Sequence, residues 1–293
     1  MRVLSLFDGI SCGMIALERA GIKVDTYYAS EIDKNAIAIS QKNYPNIVRL
    51  GDVTKWREWD IDWSQIDLLI GGSPCQGFSF AGKQLNFDDP RSKLFFEFVN
   101  ILNHIKSRNP NVKFLLENVK MKKEYEQVIT EHLGVKPEHI NSLKFVPQNR
   151  PRVYWTNICF DAIKIKCEKK LKDVISNKND FEKVSNTYKE YKNFYTIPRS
   201  KDGKLINGSY NRIWKIDKFS GSLSVCNIPK IGYVENGCVF SRKLNAQEAE
   251  KLQTLPLGYT DGVCEMARHK ALGNGWTVDV IAHIFTGLIQ GGD

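Results

Sequence analysis

The sequence lacks the marks of membrane, secreted and metal-binding chains. No apolar run in it approaches the roughly 20 residues that span a bilayer. The opening, MRVLSLFDGI, has one Arg and a short apolar stretch but no long apolar segment with a small-residue cleavage site, so no signal peptide is expected. The seven cysteines are odd in number and no two are spaced as CxxC. A disulfide framework and a zinc site are therefore not expected, and a reducing cytosol fits. The five histidines show no metal spacing. The phosphate-binding pattern GxGxxG is absent, which ranks a nicotinamide oxidoreductase last. There is no internal repeat and no low-complexity linker.

The 293 residues allow one large domain, or one domain with a smaller lobe. Hydrophobic content of 42% and charged content of 26% suit a globular chain. The formal net charge is +9, and its position matters more than its size. From Asp161 to Lys243 there are 18 Lys and Arg against 9 Asp and Glu, while the rest holds 24 of each. A basic segment beside a neutral body is the footprint of a polyanion-binding protein. A solvated lysine-rich face is the bland alternative.

The first half alternates strands and amphipathic helices. RVLSLF, DTYYASEID, IVRLGD, IDLLIGG and KFLLENV read as strands. Helices are expected over Met14 to Ala20, Lys34 to Lys42, Ser92 to Ser107 and Met121 to Leu133. This pattern implies βαβ units and a parallel sheet covered on both faces. After RVYWTNI the texture turns to Lys, Asn, Ser and Tyr with short β-like pieces, and a small irregular lobe is expected. Order returns at NAQEAEKLQTL, where Asn245 and Glu248 form a capping box. GWTVDVIAHIFTGLI then reads as an apolar helix packing back on the first sheet. The expected boundaries are 1–160, 161–243 and 244–293. Trp56, Trp59 and Trp63 share one connector and read as packing over a sheet edge, with an interaction surface as the alternative.

In an open parallel sheet, ligands bind beyond the carboxyl ends of the strands. The first such end is Phe7-Asp8-Gly9-Ile10-Ser11-Cys12-Gly13, whose glycines permit a tight turn. Glu31 ends the second strand, where an acid accepts from ribose hydroxyls. Asp52 ends the third, where a carboxylate accepts from an adenine amine. An adenosine ligand without phosphates fits this set, so S-adenosylmethionine is favoured over a dinucleotide. Taken singly, Asp8 and Asp52 also read as helix caps, and Glu31 as a solvated strand end.

The fourth end is GGSPCQGFSF, which places Cys75 just beyond a proline in a Gly-bounded loop. A nucleophilic cysteine needs exposure and a lowered pKa or an acid–base partner. Glu117 in LLENV and Arg150 and Arg152 in QNRPRVYW are the candidates to assist it. Beside a methyl donor, these residues suit one reaction. A thiolate adds to carbon 6 of a pyrimidine, an acid holds ring nitrogen 3, and carbon 5 takes the methyl group.

FDGISCG, GGSPCQGFS, ENV, QNRPRVYW and LGNGW together resemble the DNA cytosine-5 methyltransferase family, in its order, over nearly the whole chain except the middle lobe. LSLFDGI, SKLFFEF, YTD, and LGNGW leading into VIAHIF resemble the vertebrate de novo enzymes in particular. Trp276 stands where many bacterial members carry a small residue.

The resemblance implies an α/β, Rossmann-like, S-adenosylmethionine-dependent methyltransferase fold with a target-recognition lobe. Cys75 would be the nucleophile and Glu117 the base-recognising acid. Asn118 would fix its loop, and Arg150 and Arg152 would support the site. Phe7, Asp8, Gly9, Ile10, Ser11 and Cys12 would border the donor, with Glu31 and Ile32 at its ribose and Asp52 and Val53 at its adenine. Pro74 and Leu94 would line that pocket, and Asn274, Gly275 and Trp276 would close it. The loop QGFSFAGKQLNFDDPRSK would fold over a flipped cytosine.

The cofactor implied is S-adenosylmethionine, leaving S-adenosylhomocysteine, with no metal. The partner implied is double-stranded DNA, with no membrane. The lobe 161–243 would recognise the target, with Arg199, Asn211, Arg212 and Lys230 as candidate base readers. Phe95, Phe96 and Phe98 read as helix packing, with self-association through Phe95 and Phe96 as the alternative. Because Arg2 and Val3 already begin a strand, a stand-alone enzyme is expected, cytoplasmic and nucleoid-associated in a bacterial or phage-infected cell, of the restriction-modification kind. A transfer-RNA cytosine-5 methyltransferase and a catalytically silent DNA-binding homologue are the rivals.

Overall fold

The computed structural model describes residues 1–73, 90–176, 180–197, 212–224 and 228–290, with the backbone alone at 90–93 and 290. Pro74, Cys75, most of the expected lid, Arg199 and Asn211 lie outside the described residues. The chain divides into two compact units. The first comprises Met1–Ile140, Pro151–Ile163 and Val278–Asp293; the second comprises Asn141–Arg150 and Lys164–Thr277. Residues 244–277, expected with the first domain, thus group with the basic middle segment.

The chain opens with β1 (Arg2–Leu6), α1 (Cys12–Arg19), β2 (Thr26–Ser30), α2 (Lys34–Asn43), β3 (Val48–Arg49), β4 (Leu68–Gly71), α3 (Pro90–Lys106), β5 (Lys113–Val119), α4 (Lys123–Leu133) and β6 (Pro137–Asn141). The short β7 (Gln148–Asn149) and then β8 (Pro151–Thr156) follow. The main sheet has the order β3-β2-β1-β4-β5-β8-β6. Its first five strands run parallel, as the alternation implied, but β8 pairs with β5 antiparallel. No short-range pattern announces that reversal. It places the start of β8 beside the end of β5.

Leu4, Leu6, Leu69, Phe114, Leu116, Val153 and Trp155 share a core with Phe95, Phe98, Leu102 and Ile105 of α3 and Ile129 of α4. Val3, Leu68, Ile70, Leu115 and Tyr154 alternate with them and are buried too. Burial on both faces is why these strands read as continuous apolar runs. Phe95 is only 1% exposed, and Phe96 is half-buried against the same core, its ring 5.3 Å from that of His132. Gly71 ends β4 where a Cβ would lie 3.0 Å from the Leu6 carbonyl and 3.2 Å from the Phe98 ring.

The second unit is more regular than expected. It holds β9 (Glu182–Ser185), β10 (Lys189–Glu190), β11 (Phe194–Thr196), β12 (Arg212–Lys215), β13 (Ser220–Gly221), β14 (Lys230–Glu235), β15 (Cys238–Lys243), α5 (Ala246–Leu252) and α6 (Glu265–Asn274). Six strands form a sheet of order β10-β11-β12-β14-β15-β9, and β13 pairs with β7. Four strands of the six-stranded sheet have only two to four residues, too few for alternation to show, and the longer β14 and β15 carry Gly232, Ser241 and Arg242 within their apolar pattern. The β14–β15 hairpin turns at Asn236-Gly237, both with positive φ, as a two-residue type I′ loop requires. Beyond it, α7 (Val278–Phe285) and α8 (Gly287–Gln290) return to the first unit. There α7 packs against α1, joined by an Arg19–Asp279 pair at 2.6 Å.

The capping box at Asn245 and Glu248 forms as expected. Glu248 is fully buried and also takes Nη1 and Nη2 of Arg242, at 2.8 and 2.7 Å, and the Ser176 N–H at 2.9 Å. Burial pushes its carboxyl up, but the Arg242 pair and the Ser176 and Asn245 N–H groups outweigh it, and the pKa lies below the usual value. The stabilisation is therefore present above the ordinary carboxylate pKa and fades as pH falls through the lowered one. Arg242→Ala is expected to remove about 3 kcal/mol at neutral pH, with a smaller loss in acid. Urea midpoints of both proteins across pH check this.

Candidate active site

Glu117 lies near the end of β5 and is 8% exposed. Across the antiparallel ladder it faces Tyr154, while Val119 faces Arg152. Glu117 and Arg152 are therefore diagonal neighbours on one face of the sheet. The Arg152 Nε lies 2.9 Å from Glu117 Oε1. The next residue, Asn118, points to the opposite face. Its Nδ2 donates to the Ser73 hydroxyl at 3.1 Å and toward the Ser73 carbonyl at 3.4 Å. Ser73 is the last described residue before Pro74-Cys75. Asn118 thus ties the end of β5 to the segment that enters the expected nucleophile.

Arg150, two residues from Arg152, belongs to the second unit and is 2% exposed. Its Nη1 donates to the Leu223 carbonyl at 2.7 Å, and its Nη2 to those of Gly273 and Gly275 at 3.0 and 2.8 Å. Sequence reasoning treated the two arginines alike; the structure gives one a carboxylate and the other backbone carbonyls. It also reveals polar residues the sequence reading missed. Gln148 and Gln253 are fully buried. Gln148 donates to the Leu252 carbonyl at 2.8 Å, and Gln253 to those of Leu272 and Gly275 at 2.7 and 3.0 Å. Thr277 donates to Gln253 at 2.9 Å. The only hint in the sequence was an amide set among apolar residues. These bonds fix the backbone of Gly275, between the exposed Asn274 and half-buried Trp276 in the second unit.

In the first unit, the turn from β1 to α1 is left-handed at Phe7, Gly9 and Ser11, with φ of 56, 59 and 59°. Positive φ at non-glycine residues is uncommon, and it clusters at ligand sites. A Cβ on Gly9 would meet nothing within 4 Å, so open space lies over its backbone. Glu31 is not a solvated strand end. Its Oε2 accepts from the Gly9 N–H at 2.8 Å, and its Oε1 from those of Ile32 and Asp33 at 2.7 and 2.8 Å. A carboxylate has about four acceptor sites, so Oε2 retains capacity for a further donor.

Asp52 caps the following 3-10 turn through Oδ1, which accepts from the Thr54 N–H and hydroxyl, both at 2.9 Å. Its Oδ2 carries no hydrogen bond among the described residues. Ile32 is 70% exposed beside Glu31. Ile10, Cys12 and Val53 are buried, and Leu94 packs half-buried on the core. Asp8 is turned inward, and burial raises its carboxyl pKa against the hydrogen bonds of Ser11, Ser5 and Tyr27. Among the candidate base readers, Arg212 is exposed on β12, with its guanidinium 5.0 Å from the Phe194 ring centre, and Lys230 begins β14.

Among the described residues, no group of three or more His, Cys, Asp or Glu could hold a metal ion, and no helix is long and apolar enough to cross a membrane. Residues 1–290 match the family model of the C-5 cytosine-specific DNA methylases. The chain belongs to this family.

Its relatives include the type II methyltransferase M1.ScrFI of Lactococcus lactis subsp. cremoris, 29% identical over 99% of this chain and 78% of that protein. The orphan methyltransferase M.SPRI of Bacillus phage SPR is 37% identical over 56% of this chain and 39% of that protein. These bacterial and phage proteins give no support to the closer likeness to vertebrate de novo enzymes. Among solved structures, Entamoeba histolytica EhMeth superposes with a TM-score of 0.71 at 20% identity, covering 99% of this chain and 98% of that one. S. pombe Dnmt2 gives 0.68 at 19%, with the same coverage. At these identities the likeness is one of fold.

Asn118→Ala removes the donor from the buried Ser73 oxygens. A loss of about 2 kcal/mol is expected, read as a lower urea midpoint.

Proposed function

We propose that the chain transfers a methyl group from S-adenosylmethionine to carbon 5 of a cytosine flipped out of double-stranded DNA, through a covalent adduct on Cys75. The observation that carries this reading is the Glu117–Arg152 pair, a nearly buried carboxylate held by a guanidinium at the strand end next to the one leading into Pro74-Cys75. A flipped base presents its Watson–Crick edge, which such a carboxylate can read.

The Cys75 thiolate adds to carbon 6 of the ring. Glu117 bonds nitrogen 3 and shares a proton with it, so electron density moves to carbon 5. Arg152 fixes the carboxylate and compensates its charge. When bound, the donor supplies an electrophilic methyl group. Loss of the carbon-5 proton then lets the 5,6 double bond reform and the thiolate leave.

The donor end fits a nucleoside without phosphates. It offers carboxylate oxygens at Glu31 and Asp52, an exposed apolar side chain at Ile32 and open space over Gly9. Phe7 and the backbone of Ile10 to Cys12 and of Val53 border that space in this reading. For Pro74, Leu94, Asn274, Gly275 and Trp276 the role rests on the family resemblance. We assign target recognition to residues 161–243, whose excess of positive charge suits phosphate contact. The bacterial and phage relatives support a cytoplasmic enzyme, and the type II methyltransferase among them supports one of the restriction-modification kind.

Cys75→Ser is expected to abolish methyl transfer while leaving S-adenosylhomocysteine affinity close to wild type; full activity would overturn the covalent mechanism. Glu117→Gln is expected to lower kcat by about a hundredfold or more. Bisulfite sequencing of mixed-sequence duplex DNA after reaction should show protected cytosines in one short context. Protection of transfer RNA alone would replace DNA as the substrate.

A further inference from the structure

Asp8 is expected at the donor, yet its carboxylate faces the interior. Its Oδ1 accepts from the Tyr27 hydroxyl at 2.8 Å, and its Oδ2 from the Ser11 hydroxyl. Ser11 and Ser40 are fully buried, and their hydroxyls meet. The Ser40 oxygen also accepts from Nη1 and Nη2 of Arg49, both at 3.2 Å. Each serine has one hydroxyl proton. That of Ser11 goes to the carboxylate, so that of Ser40 goes to Ser11. The chain of bonds therefore runs one way, from a guanidinium on β3, through α2, to a carboxylate in the turn after β1. Arg49 thus reaches the carboxylate only through the two hydroxyls, by orienting Ser40 and with it Ser11.

Two residues of this chain lie in the left-handed turn. Non-glycine residues stay in such conformations only where their surroundings over-determine them. Glu31 fixes the middle of the turn at the Gly9 N–H. Asp8 and Ser11 fix its remainder.

We propose that Asp8 is a positioning residue, and that the chain Asp8–Ser11–Ser40–Arg49, with Tyr27 and Ser5 as further donors to Asp8, holds the turn in the shape that binds the methyl donor. This rests on the donor reading above. Ser40 and Arg49, which are outside the set expected to touch the donor, thereby tune its affinity.

The test leaves Asp8 itself in place and removes its supports, because Asp8→Asn would disturb the core directly. Calorimetric titration with S-adenosylhomocysteine, alongside methyl-transfer kinetics and thermal melts, compares the wild type with Ser40→Ala, Ser40→Thr and Tyr27→Phe. In Ser40→Ala and Tyr27→Phe, Kd and the donor KM should rise about tenfold, with kcat at saturating donor little changed. Ser40→Thr, which keeps the hydroxyl, should restore affinity. Folded variants with a lower Tm but wild-type Kd would overturn the inference and leave the donor reading intact. A wild-type protein that binds no S-adenosylhomocysteine would overturn the donor reading, and this inference with it.

Discussion

A carboxylate held almost out of water is costly unless a cation comes with it. Glu117 meets that condition through Arg152, and the meeting depends on one topological fact. Strand β8 lies antiparallel beside β5, so its first residues stand against the last residues of β5. A parallel β8 would carry Arg152 to the opposite edge. The antiparallel pairing of β8 with β5 thus decides whether the end of β5 can be acidic.

The proposed donor end obeys a related constraint. It gathers Asp8, Glu31 and Asp52 within a few residues of neighbouring strand ends. Each carboxylate is given a different set of donors. Glu31 is held by backbone N–H groups, Asp52 by a 3-10 turn, and Asp8 by hydroxyls backed by Arg49. These bonds keep the acids oriented and the turn left-handed. They also divide the work. Glu31 and Asp52 retain acceptor capacity, whereas Asp8 faces inward.

The second unit uses buried amides for a similar purpose. Arg150, Gln148 and Gln253 donate to the carbonyls of Leu223, Leu252 and Gly275, and Thr277 holds the Gln253 amide in place. A buried carbonyl needs a donor, and neither the last turn of α6 nor residues 275–277 beyond it can supply one from the backbone. Long polar side chains supply it instead, which accounts for their complete burial.

The sequence by itself determined the alternation of the first half, the capping box at Asn245 and Glu248, and the family motifs. All of these are local: periodicity, caps and turns are written within a few residues. It did not determine the reversed β8 or the order of the six-stranded second sheet, because the pairings of β8 with β5, of β12 with β11 and β14, and of β9 with β15 join residues well separated in the chain. Nor did it separate Arg150 from Arg152, or Asp8 from Glu31. Residues of one type, a few positions apart, look alike until the fold decides which faces a carboxylate, a backbone carbonyl or open space. Only tertiary structure decides that, because burial and hydrogen-bond partners are properties of packed neighbours and not of the residue itself.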